Sequence, residues 1–185
     1  MEGHHIAKPL NISGNVAFLC KYVYRIRTKI FMERIYLDTS VFGGYFEPEF
    51  ELWTKILFNK IYQNDYKIIF SRLTDIELAP APEKVRTLAA SLPETAIEFI
   101  DISDAAIKLA EQYINENVVG KTSRADCIHI ALATLHNADI LVSWNFKHIV
   151  NINRIRGYNA VNYRFGHKIL EIRTPREILN YEDEE

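Results

Sequence analysis

Cysteine is scarce in this chain: Cys20 and Cys127 are the only two among 185 residues. They stand far apart, with neither the spacing of a zinc site nor the density of a disulfide scaffold. Nothing calls for an oxidising compartment, so a cytoplasmic location is expected. Long apolar runs are missing too. Residues 16–20 form one of only five residues, too short to span a bilayer, and no membrane partner is expected. The basic residues Lys21, Arg25 and Arg27 follow that run, the reverse of the order in a secretory signal. Charge of one sign is also lacking, since 22 Lys and Arg against 24 Asp and Glu leave a net −2. A global polycation, the simplest mark of a nucleic-acid binder, is therefore excluded. Glycine-rich turns are absent as well: Gly43-Gly44 does not make the fingerprint of a dinucleotide-binding fold.

With 48% hydrophobic and 25% charged residues, the chain has the composition of a soluble globular protein and the length of one domain. Its charges are unevenly placed. Lys21, Arg25, Arg27, Lys29 and Arg34 face a single Glu33, while residues 181–185 are almost wholly acidic. The basic arm suits phosphate contact and equally suits a solvated face. Residues 1–31, broken by Gly3, Pro9 and Gly14, read as an N-terminal extension of uncertain structure, and the domain proper as residues 32–185.

Along that domain, short apolar strands alternate with helical periodicity. Strands are expected at 34–38, 67–70, 96–100, 139–143 and, as an edge strand, 168–173. Helices are expected at 50–62, from Ser71 (as its cap) to Leu78, from Pro82 to Leu92, at 102–119, at 126–135 behind Thr122 or Ser123 as cap, and after Pro175. Gly43-Gly44 and residues 157–166 read as loops. The alternation predicts an α/β fold with a parallel sheet.

Three carboxylates stand where these elements begin or end. Asp38 closes the first strand, Glu77 lies in the helix after the second, and Asp126 opens the apolar helix that contains Cys127. Loops at the C-terminal edge of a parallel sheet converge although their sequence positions are distant. Carboxylates gathered there repel unless a cation compensates them. Mg²⁺ and Mn²⁺ favour oxygen ligands and complete their shells with phosphate oxygens. The corresponding chemistry is hydrolysis, in which water attacks phosphorus while the cation stabilises the attacking and leaving oxygens. The alternative is that Asp38 and Asp126 merely cap helices while Glu77 is solvated.

Four stretches resemble the PIN-domain ribonucleases, including the toxin nucleases of prokaryotic toxin–antitoxin pairs. They are Ile35-Tyr36-Leu37-Asp38-Thr39-Ser40-Val41, Ser71-Arg72-Leu73-Thr74-Asp75-Ile76-Glu77-Leu78, Ala125-Asp126-Cys127-Ile128-His129-Ile130-Ala131-Leu132-Ala133, and Ile140-Leu141-Val142-Ser143-Trp144-Asn145-Phe146-Lys147-His148. The resemblance implies a three-layer α/β/α fold around a central, mainly parallel sheet. It also implies a metal-dependent endoribonuclease whose Mg²⁺ or Mn²⁺ is held by Asp38, Glu77, Asp126 and Asn145. RNA is then the substrate, an antitoxin protein a partner, and a homodimer the common assembly. Many members carry aspartate where this chain has Asn145, and an amide adds no negative charge. A degenerate domain that binds RNA or a protein without cleavage is the alternative.

Smaller features remain open at this level. Thr39 and Ser40 suit hydrogen bonds to the site and equally a simple turn, and Ser143 suits a water or Asn145. Arg72, Lys121, Arg124 and Lys147 are candidates for phosphate. His129 and His136 read as hydrogen-bonded core histidines; His148, near Asn145, is a better candidate than they are for a substrate contact, with a structural role as the alternative; Trp144 reads as a hydrophobic filler rather than a stacking platform. A phosphatase of the haloacid-dehalogenase type needs a second aspartate two residues after the first, where this chain has Ser40.

Overall fold

The computed structural model describes residues 32–180; the expectations for the N-terminal extension, the basic residues before Met32 and the acidic terminus lie outside them. Five strands, β1 (Glu33–Leu37), β2 (Tyr66–Ser71), β3 (Ile97–Ile100), β4 (Ile140–Val142) and β5 (Glu171–Arg173), form one sheet in the order β3-β2-β1-β4-β5. Every pairing is parallel. The strands are short and apolar because both faces are covered.

Alternation along β1 divides the core. Ile35 and Leu37 join Ile68 and Val142 on one face, where α1 (Thr39–Gly44), α2 (Glu51–Tyr62), α4 (Glu83–Ala90) and α8 (Pro175–Asn180) cover them. Tyr36, Ile69, Leu141 and Ile172 face the other way, under α5 (Asp104–Asn115), α6 (Arg124–Leu135) and α7 (Ile152–Arg164). The remaining helix, α3 (Arg72–Leu78), follows β2 at the C-terminal edge of the sheet. The three layers are those of a PIN-like α/β/α fold. Among the described residues no helix is long and apolar enough to cross a membrane.

Asparagine ends three of the helices in one way. Asn64, Asn117 and Asn137 take left-handed backbone, with φ of 60°, 58° and 51°. The next residue in each case donates its N–H to the carbonyl five residues back: Asp65 to Lys60, Val118 to Tyr113 and Ala138 to Ala133. These bonds satisfy carbonyls that a helix end leaves unpaired, in a conformation asparagine tolerates better than most residues.

Three local expectations need correction. Residues 157–166 are mostly helix, not loop: α7 buries Tyr158, Val161 and Asn162 on one face. Asn162 is a core residue because Tyr113 Oη donates to its Oδ1 at 2.5 Å and its Nδ2 donates to Thr134 Oγ1 at 3.1 Å. Gly43 and Gly44 close α1 instead of forming a loop. Ser123 occupies the N-cap position of α6, yet its side chain makes no capping bond. Ser71, by contrast, caps α3 by accepting from the Thr74 N–H at 3.1 Å.

Candidate active site

In this strand order the connections leave β1 in opposite directions, so the C-terminal ends of β1 and β4 border a crevice. Asp38 lies at that point: its N–H donates to the Val142 carbonyl at 3.0 Å, carrying the ladder one step past β1. Its extended backbone makes it the N-cap of α1, so capping and site positions coincide. The carboxylate is only 5% exposed. Its Oδ2 accepts from the Ser40 N–H at 3.3 Å, from Ser40 Oγ at 2.5 Å and from Ser143 Oγ at 2.8 Å. The hydroxyl of Ser143 thus reaches the carboxylate itself as well as accepting from the Asn145 N–H at 2.9 Å.

Glu77 enters from α3. Its Oε2 accepts from Thr39 Oγ1 at 2.5 Å and from His129 Nε2 at 2.9 Å. The same Nε2 lies 3.6 Å from Asp38 Oδ1. His129 is therefore a bridge between two of the carboxylates. Its ring is buried, and Nδ1 pairs at 2.7 Å with the Tyr36 hydroxyl, which in turn meets Ser71 Oγ at 2.7 Å. Burial pushes the Glu77 carboxyl up, but the His129 bond and charge, helped by Thr39, bring it below the ordinary value. Burial pulls His129 down, and the Glu77 bond with the charges of Asp38, Glu77 and Asp126 outweighs it, so its pKa is raised.

Asp126 sits in the first turn of α6, half-buried, and accepts from Asn145 Nδ2 at 2.7 Å. Burial raises its pKa and the charges of Asp38 and Glu77 raise it further, against the lowering influence of His148 and His129. Asn145 presents its nitrogen because its Oδ1 accepts from the His148 N–H at 3.0 Å.

The four site residues expected from sequence thus fall into two linked pairs at one sheet edge: Asp38 with Glu77 through His129, and Asp126 with Asn145. The donors are hard oxygens, and burial with the charges of Asp38 and Glu77 raises the cost of charging Asp126, which fits a divalent cation in kind. Among the described residues, however, no group of three or more His, Cys, Asp or Glu is already arranged to hold a metal ion. The fit is one of donor chemistry, not of a formed coordination shell.

His129 is the residue whose part sequence reasoning missed. It is buried and hydrogen-bonded, as expected, but its partners are the acidic residues themselves. The available signal was its place one turn after Asp126 on the same helix. His136 is half-buried; its backbone N–H donates to the Leu132 carbonyl at 3.0 Å and its carbonyl accepts from Arg34 at 2.9 Å. Of the candidate phosphate contacts, Arg72 is paired with Asp75 at 2.9 Å and Arg124 with Glu111 at 3.5 Å, while Lys121 and Lys147 are exposed.

Comparison with solved structures finds chains of similar outline. VapBC from Salmonella typhimurium bound to DNA is 18% identical, covering 78% of this chain and 99% of that one, with a TM-score of 0.47. VapBC2 from Rickettsia felis bound to a promoter DNA fragment is 16% identical over 76% and 98%, with the same score. FitAcB from Neisseria gonorrhoeae is 15% identical over 76% and 97%, again at 0.47. No curated protein sequence matches the chain. The sequence profile of the PIN domain does match, over residues 35–147. That span takes in β1, α3, α6, β4 and all four residues of the two pairs, more than half of the sequence, and the chain belongs to the PIN-domain family.

Proposed function

We propose that residues 32–185 act as a metal-dependent endoribonuclease, with residues 1–31 as an extension. The observation that carries this reading is the shared charge field of Asp38, Glu77 and Asp126 at the crevice beside β1. Three acidic side chains from three separate elements are held there by dedicated hydroxyl, amide and imidazole partners. Without a metal ion the crowding falls on Asp126, whose charged form is disfavoured, while His129 compensates Glu77; a bound cation would relieve it.

Asp38, Glu77 and Asp126 would hold Mg²⁺ or Mn²⁺, which supplies Lewis acidity toward a phosphodiester and its attacking water. Ser40 and Ser143 fix Asp38 through Oδ2, leaving Oδ1 on the side of His129. Thr39 and His129 fix Glu77. Asn145 steers Asp126 through its amide nitrogen and adds no charge. Lys147, exposed beside it, suits a substrate phosphate.

A second reading, an RNA- or protein-binding domain that does not cleave, is favoured by one detail: the Asn145 oxygen is already used by the His148 N–H. Mn²⁺ titration followed by calorimetry separates the two. The nuclease reading expects saturable binding that Asp126→Asn weakens at least tenfold. Undetectable binding by the wild-type chain at millimolar Mn²⁺ supports the non-cleaving domain. As the toxin of a toxin–antitoxin pair, the protein would also take an antitoxin over the acidic mouth and form a homodimer. Size-exclusion chromatography with light scattering tests the dimer.

A further inference from the structure

Phe146 follows Asn145 directly and leaves half its surface, 50%, in water. A lone exposed apolar residue is ordinary, but this ring has a built support. Trp144 lies beneath at 6.0 Å between centroids, and Phe50 at 6.2 Å. Those two stack on each other at 4.6 Å and 24°. Trp144 is anchored twice, its indole N–H to Thr54 Oγ1 at 2.9 Å and its backbone N–H to Ser40 Oγ at 3.0 Å. Even a methyl group at Gly44 would stand 2.6 Å from Trp144 Cδ1, so the indole packs directly on the α1 backbone.

The loop that carries the ring is also fixed. Phe146 N–H donates to the Trp144 carbonyl at 3.0 Å, and the Asn145 carbonyl accepts from Ile149 and Val150 at 3.0 and 2.8 Å. Two other exposed phenylalanines, Phe99 and Phe165, each carry a guanidinium over the ring, from Arg72 at 4.9 Å and Arg164 at 5.9 Å. No cation is found over Phe146 among the described residues. Its neighbour Lys147 is exposed and forms no ion pair among them.

We propose that Phe146 is a stacking platform for an unpaired nucleobase of RNA whose backbone lies along the Asp38–Asp126 crevice. The inference rests on the nuclease reading and deepens it. One peptide unit, about 3.8 Å between Cα atoms, separates Phe146 from Asn145, whose amide touches Asp126. A base adjacent to a phosphate at the acidic mouth is therefore within reach. An aromatic face accepts any base, and Lys147 beside it favours an anionic polymer over an apolar protein segment. The rigid backing lowers the ordering cost of the contact.

Fluorescence anisotropy with a mixed-sequence single-stranded RNA, and with an abasic oligomer of the same length, tests this in an Asp38→Asn background with Mg²⁺. Phe146→Ala is expected to weaken RNA binding roughly 5- to 150-fold and to leave the abasic oligomer unaffected. Phe146→Tyr should retain binding, and Phe146→Leu should be as weak as the alanine variant. Equal losses on RNA and abasic oligomer, or full rescue by leucine, would overturn the platform. Metal-dependent cleavage by the native chain with unchanged RNA affinity in Phe146→Ala would sink the platform and leave the nuclease standing. No RNA binding in that background, joined to none by the native chain in chelator and no metal-dependent cleavage, would overturn both.

Discussion

The Nε2 atom of His129 lies 2.9 Å from Glu77 Oε2 and joins α6 to α3 across the mouth of the crevice. Removing the imidazole leaves Glu77 Oε2 with Thr39 as its donor and takes away the group that lies between Glu77 and Asp38 Oδ1. His129→Ala should therefore destabilise the metal-free protein by about 1–3 kcal/mol, the usual cost of stranding buried polar groups. Urea unfolding in chelator measures it. No loss of stability would show that the bridge is incidental.

The same pair predicts a pH signature. The raised His129 pKa contributes stability that is full below its unfolded value of 6.5 and is lost as pH rises through the folded value. The lowered Glu77 pKa contributes stability that is full above 4.5 and is lost as pH falls through its folded value. The stability gap between wild type and His129→Gln should thus be widest from pH 4.5 to 6.5 and narrower at pH 9. A gap that grows toward pH 9 would contradict this assignment.

Asn145→Asp places a second carboxylate where an amide N–H now donates to Asp126 at 2.7 Å. Without a cation the like charges repel, and a loss of about 1–2 kcal/mol is expected. Mn²⁺ should reverse it, giving the variant a larger thermal shift than the wild type, because binding to the folded state adds stability in proportion to affinity. Thermal denaturation with and without Mn²⁺ reads both effects, and a smaller shift in the variant would argue against a cation at this position.

Gly157→Ala sets two magnitudes against each other. Within α7 the exchange gains up to about 1 kcal/mol of helix propensity. The new Cβ, however, would stand 2.7 Å from Val118 Cγ1 and 3.2 Å from Cγ2. Valine is stiff about χ1 and has little room to yield, so overpacking of about 1–3 kcal/mol prevails. A net loss in urea unfolding is expected; a gain would mean that the segment carrying Val118 after α5 can move away from α7 cheaply.

Cys127 is fully buried, and burial raises its thiol to about 12. It should resist alkylation at pH 8 in the folded protein and react once unfolded, since the thiolate is the nucleophile. Peptide-resolved mass spectrometry reads that residue alone, and rapid labelling in the native state would show that α6 opens.

Much of this was legible in the residues. The four main strands lie close to the apolar runs that suggested them, because a parallel sheet covered on both faces requires such runs. Ser71 as a cap follows from local backbone preference. What escaped depends on long-range partners. Asn162 looks polar until Tyr113 and Thr134 satisfy it, so α7 lost its visible period. His129 and Glu77 are 52 positions apart, so the one local signal, a place one turn after Asp126, does not tell the acidic mouth from a core carbonyl. Asn145 was legible as a departure from aspartate; which of its amide atoms faces Asp126 was not, since the His148 N–H decides it.

Cleavage of single-stranded and hairpin RNAs tests the central claim most directly, with Mg²⁺, with Mn²⁺ and with excess chelator, alongside Asp38→Ala. Metal-dependent cutting by the wild type that is lost in the variant and in chelator is the predicted result. No cutting by a folded wild-type protein under any of these conditions, or equal cutting by the variant, would contradict it.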